Sequence, residues 1–94
     1  MAEQEIKISI DEKVVGGSYS NIAMISHNEN EFITDFIFAH LPVGKVNSRI
    51  IMSPSHAKKF LKALQQNIEM YEKKFGAIRE LPETPEFRIN LNVN

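Results

Sequence analysis

The chain reads as an α+β domain, a four-stranded antiparallel meander sheet followed by one long C-terminal helix, and three observations predict it. Short apolar segments with period-two alternation recur through the first half. Turn-forming residues separate them at hairpin distances. The second half opens with Ser53 and Pro54 and then runs to Gly76 without another helix breaker.

The first strand is predicted in "EIKISID", where Ile6, Ile8 and Ile10 fall on one side and Lys7 and Ser9 on the other. "EKVVGGS" is a loop with Gly16 and Gly17 as its turn-makers. "SYSNIAMIS" is the second strand, closed by the Asn-rich "HNEN", and "EFITDFIFA" is the third, apolar on both sides. After "HLPVGK", broken by Pro42 and Gly44, "VNSRIIMS" is the fourth.

Helix is predicted over about 54 to 75. Ser53 is placed to cap it, Pro54 has no N–H to lose at the first helical position, and Gly76 supplies the C-terminal stop. Ala57, Leu61, Leu64, Ile68, Tyr71 and Phe75 follow at spacings of 4, 3, 4, 3 and 4, with Phe60, Ala63 and Met70 widening the apolar stripe. Covering that stripe is worth on the order of 10 kcal/mol at ~1.5–3 kcal/mol per large side chain, so it must pack on something. In the tail, Phe87, Ile89, Leu91 and Val93 alternate with Arg88, Asn90 and Asn92, the pattern of an extra C-terminal strand without a hairpin partner. The expected organisation is a single domain over 1–94, with a core from 5 to 78 and an extension from 79 to 94.

Residues opposed across an antiparallel pair share a face, which lets the two sides of the sheet be assigned. With a four-residue loop at 27–30 and a five-residue loop at 40–44, one side carries Tyr19, Ala23, Ile25, Phe32, Phe36, Phe38, Val46, Ile50 and Met52, and the helix is expected to dock there. Ile22, Met24, Ile33, Asp35, Ile37, Arg49 and Ile51 line the other side, with Asp35 directly opposite Arg49 as a register-fixing ion pair. A single helix covers a single face. About 22 helical residues at ~1.5 Å rise run ~33 Å, whereas four strands at ~4.7 Å spacing span about 19 Å, so a helix packed diagonally just fits and one packed across overhangs with Ile68, Tyr71 and Phe75. The bare face and the overhang together predict a homodimer, with those seven sheet residues and three helix residues as the candidate interface.

Composition narrows the function classes. With 43% hydrophobic and 24% charged residues the chain is of ordinary globular make-up. It has no cysteine, which excludes disulfides, thiolate metal sites and cysteine nucleophiles and fits a cytoplasmic location. "MAEQEIKISI" lacks the basic and apolar regions of a signal peptide, and no apolar run approaches the ~20 residues of a membrane helix. A net charge of −1 and a pI near 6.3 argue against tight nonspecific binding to duplex nucleic acid.

Candidate chemistry is sparse. His27, His40 and His56 are scattered over two turns and a helix start, without the spacing of a helical zinc site, so no metal or other cofactor is predicted. Asp35 and Arg49 are joined by no nucleophile, second carboxylate or phosphate-binding loop, and no enzyme is predicted. Lys58, Lys59, Lys62, Lys73 and Lys74 are interrupted by Glu69 and Glu72, which makes a mixed solvated face. Tyr19, Phe32, Phe36 and Phe38 would suit base stacking only with the helix on the opposite face, and are expected instead to be core.

The combined pattern "Tyr19-x-Asn21", "Glu31-Phe32-x-x-Asp35-Phe36", "Ser48-Arg49-Ile50-Ile51-Met52-Ser53-Pro54-x-His56-Ala57-Lys58" and "Tyr71-Glu72-x-x-Phe75-Gly76-x-Ile78" resembles the prokaryotic DUF3467 family over roughly residues 19 to 78. That resemblance implies no activity. Four meandering strands followed by a helix is also the topological order of the positive-cofactor-4 and Whirly group, dimeric binders of single-stranded nucleic acid. The sequence thus predicts a non-enzymatic binding and assembly domain acting as a homodimer in protein–protein interaction, with single-stranded nucleic-acid binding across the dimer's sheet as the alternative.

Overall fold

The structure, a computed structural model, describes residues 3–81 and 89–93. The elements in order are a one-turn helix α1 (Glu12–Val15), strands β1 (Ile22–His27), β2 (Phe32–His40) and β3 (Val43–Met52), and the long helix α2 (Pro54–Phe75). The strands form one antiparallel sheet in the order β1-β2-β3. Two compact units result, one reaching Phe60 and one starting at Leu61.

Among the described residues the sheet has three strands where the sequence predicts four. Residues 5–11 carry the right alternation but no strand, and Ile6, Ile8 and Ile10 are exposed. The reason lies in the connection to β1. Asp11 caps α1 by accepting a hydrogen bond from the Lys13 amide at 2.8 Å, so a helical turn replaces the expected loop. Beyond it, the Tyr19 carbonyl accepts from Asn47 Nδ2 on β3 at 2.7 Å. The chain thus reaches β1 from the side of β3, with no tight turn to fold residues 5–11 back along β1.

At the entry to β1, Asn21 continues the ladder with its side chain. Its amide donates to the Ile37 carbonyl at 3.0 Å, and its side-chain amide both donates to the Ala39 carbonyl (2.8 Å) and accepts from the Ala39 amide (2.9 Å). The β1–β2 loop is 28–31, closed by Asn28 Oδ1 accepting from the amides of Asn30 and Glu31 at 2.8 and 2.9 Å. This displaces the β1–β2 pairing by two residues from the expected loop at 27–30 and leaves each residue on its predicted face.

The β2–β3 hairpin departs further. Only Leu41 and Pro42, joined by a cis peptide, separate His40 from Val43, and Gly44 is a strand residue opposite Ala39 rather than part of a five-residue loop. Glycine fits closely there, since a Cβ would lie 3.2 Å from the Ala39 Cβ and press the two strands apart by a few tenths of an ångström. A bulge at Phe36/Ile37 then absorbs one residue of β3, so that Phe36 pairs with Ser48 while Ile37 pairs with Val46. Val46 therefore shares the face of Ile37, not that of Phe38 as expected. Between the bulge and Met52 the predicted register holds, and Asp35 pairs with Arg49.

Helix α2 has the predicted bounds. The Ser53 hydroxyl accepts from the His56 amide at 3.1 Å, the Ser53 carbonyl accepts from the Ala57 amide at 2.9 Å, and Gly76 closes the helix at φ 94°. The expected C-terminal strand falls partly outside the described residues; 89–93 carry no strand. Ser53→Ala is expected to lower stability by about 1 kcal/mol in urea unfolding at fixed protein concentration, with Ser53→Asp retaining most of it.

A candidate interaction surface

Strand alternation brings all seven candidate sheet residues onto one face. Ile22, Met24 and Ile33 are half-buried there, Ile51 is exposed, and Ile37, on the central strand, is buried at 7% exposure. Ile68, Tyr71 and Phe75 lie on one side of α2, with the rings of Tyr71 and Phe75 5.0 Å apart.

At the centre of the sheet face stands a two-pronged ion pair. Arg49 Nε donates to Asp35 Oδ1 at 2.7 Å and Arg49 Nη2 to Asp35 Oδ2 at 2.9 Å, the parallel geometry for which guanidinium and carboxylate are matched. Asp35 is 4% exposed, whereas the Arg49 side chain is 53% exposed. Hydrogen bonds from Arg49 hold the Asp35 carboxyl below the usual carboxylate range; burial pushes the other way, and the guanidinium charge adds to the lowering. The same hydrogen bonds raise Arg49 above its ordinary value. With both oxygens engaged and its proton affinity reduced, Asp35 is a poor general base near neutrality.

The opposite face is only in part the core that the sequence predicts, with Phe32 and Phe36 half-buried. Ile25 and Ile50 are exposed, as are Tyr19 at 75% and Phe38 at 45%, whose rings meet edge to face at 5.9 Å. Lys45 pairs with Phe38 on this side. A shallow groove of about 430 Å³ runs between the α1 region and this face, lined by Lys13, Val14, Phe36, Asn47 and Ile50 among others.

A family model described as a protein of unknown function (DUF3467) matches residues 1–80. The chain belongs to this family. The match takes in the N-terminal isoleucine segment and α1 as well as the strands and α2, and residues 81–94 lie beyond it. No curated protein and no solved structure matches the chain.

In this DUF3467 chain no three His, Asp or Glu side chains gather as a metal-ion site among the described residues, and no helix among them is long and apolar enough to cross a membrane. Sequence reasoning placed Asn28 in an Asn-rich turn but missed the roles of Asn21 and Asn47. Asn21, Asn28 and Asn47 each tie a side-chain amide or carbonyl to backbone at a strand end, hairpin or bulge, and their places beside the strands are the available signal.

Because the folded carboxyl of Asp35 is lowered, the stability it contributes is full above the unfolded value of ~3.9 and is lost as pH falls through the lower folded one. Urea midpoints measured downward from about pH 5 should therefore fall more steeply for the wild type than for Asp35→Asn. An unchanged slope in the variant would mean that the pair does not form in solution.

Proposed function

We propose that this chain is a non-catalytic homodimeric binding and assembly module engaged in protein–protein interaction, its cysteine-free composition suiting the cytoplasm. One observation carries this reading: Ile37 is the only buried hydrophobic residue among those described, while large apolar side chains stand exposed on both faces of the sheet and along α2. Soluble monomers rarely expose contiguous apolar patches above a few hundred Å². Cover from a second copy, and from a protein partner, removes that surface from water at roughly 25 cal/mol per Å².

The sheet face around the ion pair has the character of a protein contact. Its half-exposed arginine shares that face with Ile22, Met24, Ile33 and Ile51, and arginine is enriched at protein interfaces. Against catalysis there, Asp35 is committed to Arg49 through both oxygens.

A second reading, binding of single-stranded nucleic acid, is favoured by the exposed Tyr19–Phe38 pair with Lys45 beside it, since bases stack on aromatic rings near cations. The three described strands fall one short of the four-strands-then-helix order of the positive-cofactor-4 and Whirly group, so topology adds no support to this reading.

Light scattering from micromolar to millimolar concentration is expected to give twice the 10.8 kDa chain mass; a well-ordered monomer throughout would overturn the homodimer. Anisotropy of labelled oligonucleotides at two salt concentrations separates the two readings. The first predicts no binding into the high micromolar range, and the second predicts salt-sensitive binding that Tyr19→Ala weakens.

A further inference from the structure

We propose that two copies meet through α2, antiparallel, in the register that sets Ala57 against Phe75, Leu61 against Tyr71 and Leu64 against Ile68 of the second copy. This rests on the homodimer reading above and specifies its contact surface.

The stripe itself selects a helix as its partner. Spacings of 4, 3, 4, 3 and 4 from Ala57 to Phe75 are those of a narrow coiled-coil seam, carried here through the whole of a 22-residue helix. Leu61, Leu64, Ile68, Tyr71, Phe75 and the adjoining Phe60 are between 40% and 66% exposed. At ~180 Å² for a large apolar side chain, that is about 550 Å² per copy and about 1,100 Å² for a pair, just above the ~1,000 Å² floor for a specific interface.

Direction follows from size and charge. In an antiparallel pair each seam layer joins two different residues whose numbers add to the same total, and the three pairs above satisfy one total together. The smallest seam residue, Ala57, then faces one of the largest, Phe75, so layer volumes are evened. A parallel pair stacks Ala57 on Ala57 and Phe75 on Phe75, leaving a hole at one end and crowding at the other.

The flanks agree. On one side of the antiparallel seam Lys58 lies against Glu72 of the second copy, twice by symmetry, with Gln65 against its own counterpart between them. One Glu72 oxygen, Oε2, accepts from the Ile78 amide at 2.8 Å, which fixes the carboxylate and leaves its other oxygen for Lys58 of the second copy. On the other side Asn67 meets Asn67, and Phe60 meets Lys74, whose ammonium already lies 5.3 Å from the Phe75 ring. The parallel arrangement pairs Phe60 with Gln65 and Asn67 with Glu72, and brings no opposite charges together.

The chain has no cysteine, so single cysteines report the geometry directly. On mild oxidation Gln65→Cys should link to itself across the two-fold axis. Ala57→Cys should not, because its two copies would stand ~27 Å apart at ~1.5 Å per residue. Linking of Ala57→Cys without Gln65→Cys would mean a parallel pair and overturn the proposal. Linking of neither, with the dimer mass retained, would place the contact elsewhere; it overturns this register and leaves the homodimer standing, whereas a monomeric mass overturns both. As a check that needs no cysteine, Lys58→Glu should raise the dimer Kd about tenfold, and Lys58→Glu with Glu72→Lys should return it to within about threefold of wild type. A double variant no tighter than the single one would also overturn the proposal.

Discussion

A sheet of three strands has two faces and two edges, and a chain of 94 residues has little material with which to cover them. Here the shortage is acute. Ile37 alone among the described hydrophobic residues is buried, so the sheet unit coheres mainly through ladder hydrogen bonds, the Asp35–Arg49 fork and the asparagine contacts at its ends. Such polar bonds are directional and fix geometry well, but each adds only about 0.5–1.5 kcal/mol to stability. Apolar burial is what a domain ordinarily depends on, and in this chain most of that capacity is still displayed on the surface. The homodimer proposed above would supply what the isolated fold lacks.

How much of this was legible in the sequence depends on the physical range of the signal. Helix α2 was read to the residue because its cap, its proline and its glycine act within a turn of where they stand. The face assignment of the sheet was legible because side-chain alternation is a local property, and Asp35 opposite Arg49 followed from it. The N-terminal segment shows the limit of that reasoning. Alternation says that Ile6, Ile8 and Ile10 suit a strand, but a strand exists only through a neighbour, and α1 and the Tyr19–Asn47 contact carry the preceding chain away from the free edge of β1.

The same limit explains the hairpins and the site. Gly44 looked like turn chemistry because glycine is permissive; its place in β3 opposite Ala39 is a matter of cross-strand pairing, which no local rule contains. The bulge that turns Val46 to the other face left no mark in the hydrophobic pattern, because Val46 is apolar on either side. The candidate surface survived these shifts since most of its sheet residues lie between the bulge and the strand ends, where parity is undisturbed. Its chemistry was legible only as a pairing. That the carboxylate would be buried and the guanidinium half in solvent depends on packing around the two.

The hairpin of β1 and β2 has two solutions that differ by a slide of two residues and bury the same side chains. Isoleucines cannot choose between them. Asn28 grips one end of β1 through the loop amides, Asn21 grips the other through Ala39, and the seven-residue interval between them acts as a ruler for the strand. An insertion or deletion of two residues within that interval would keep every greasy group facing as before, yet one grip would have to let go. In this hairpin the amides, not the oil, encode length.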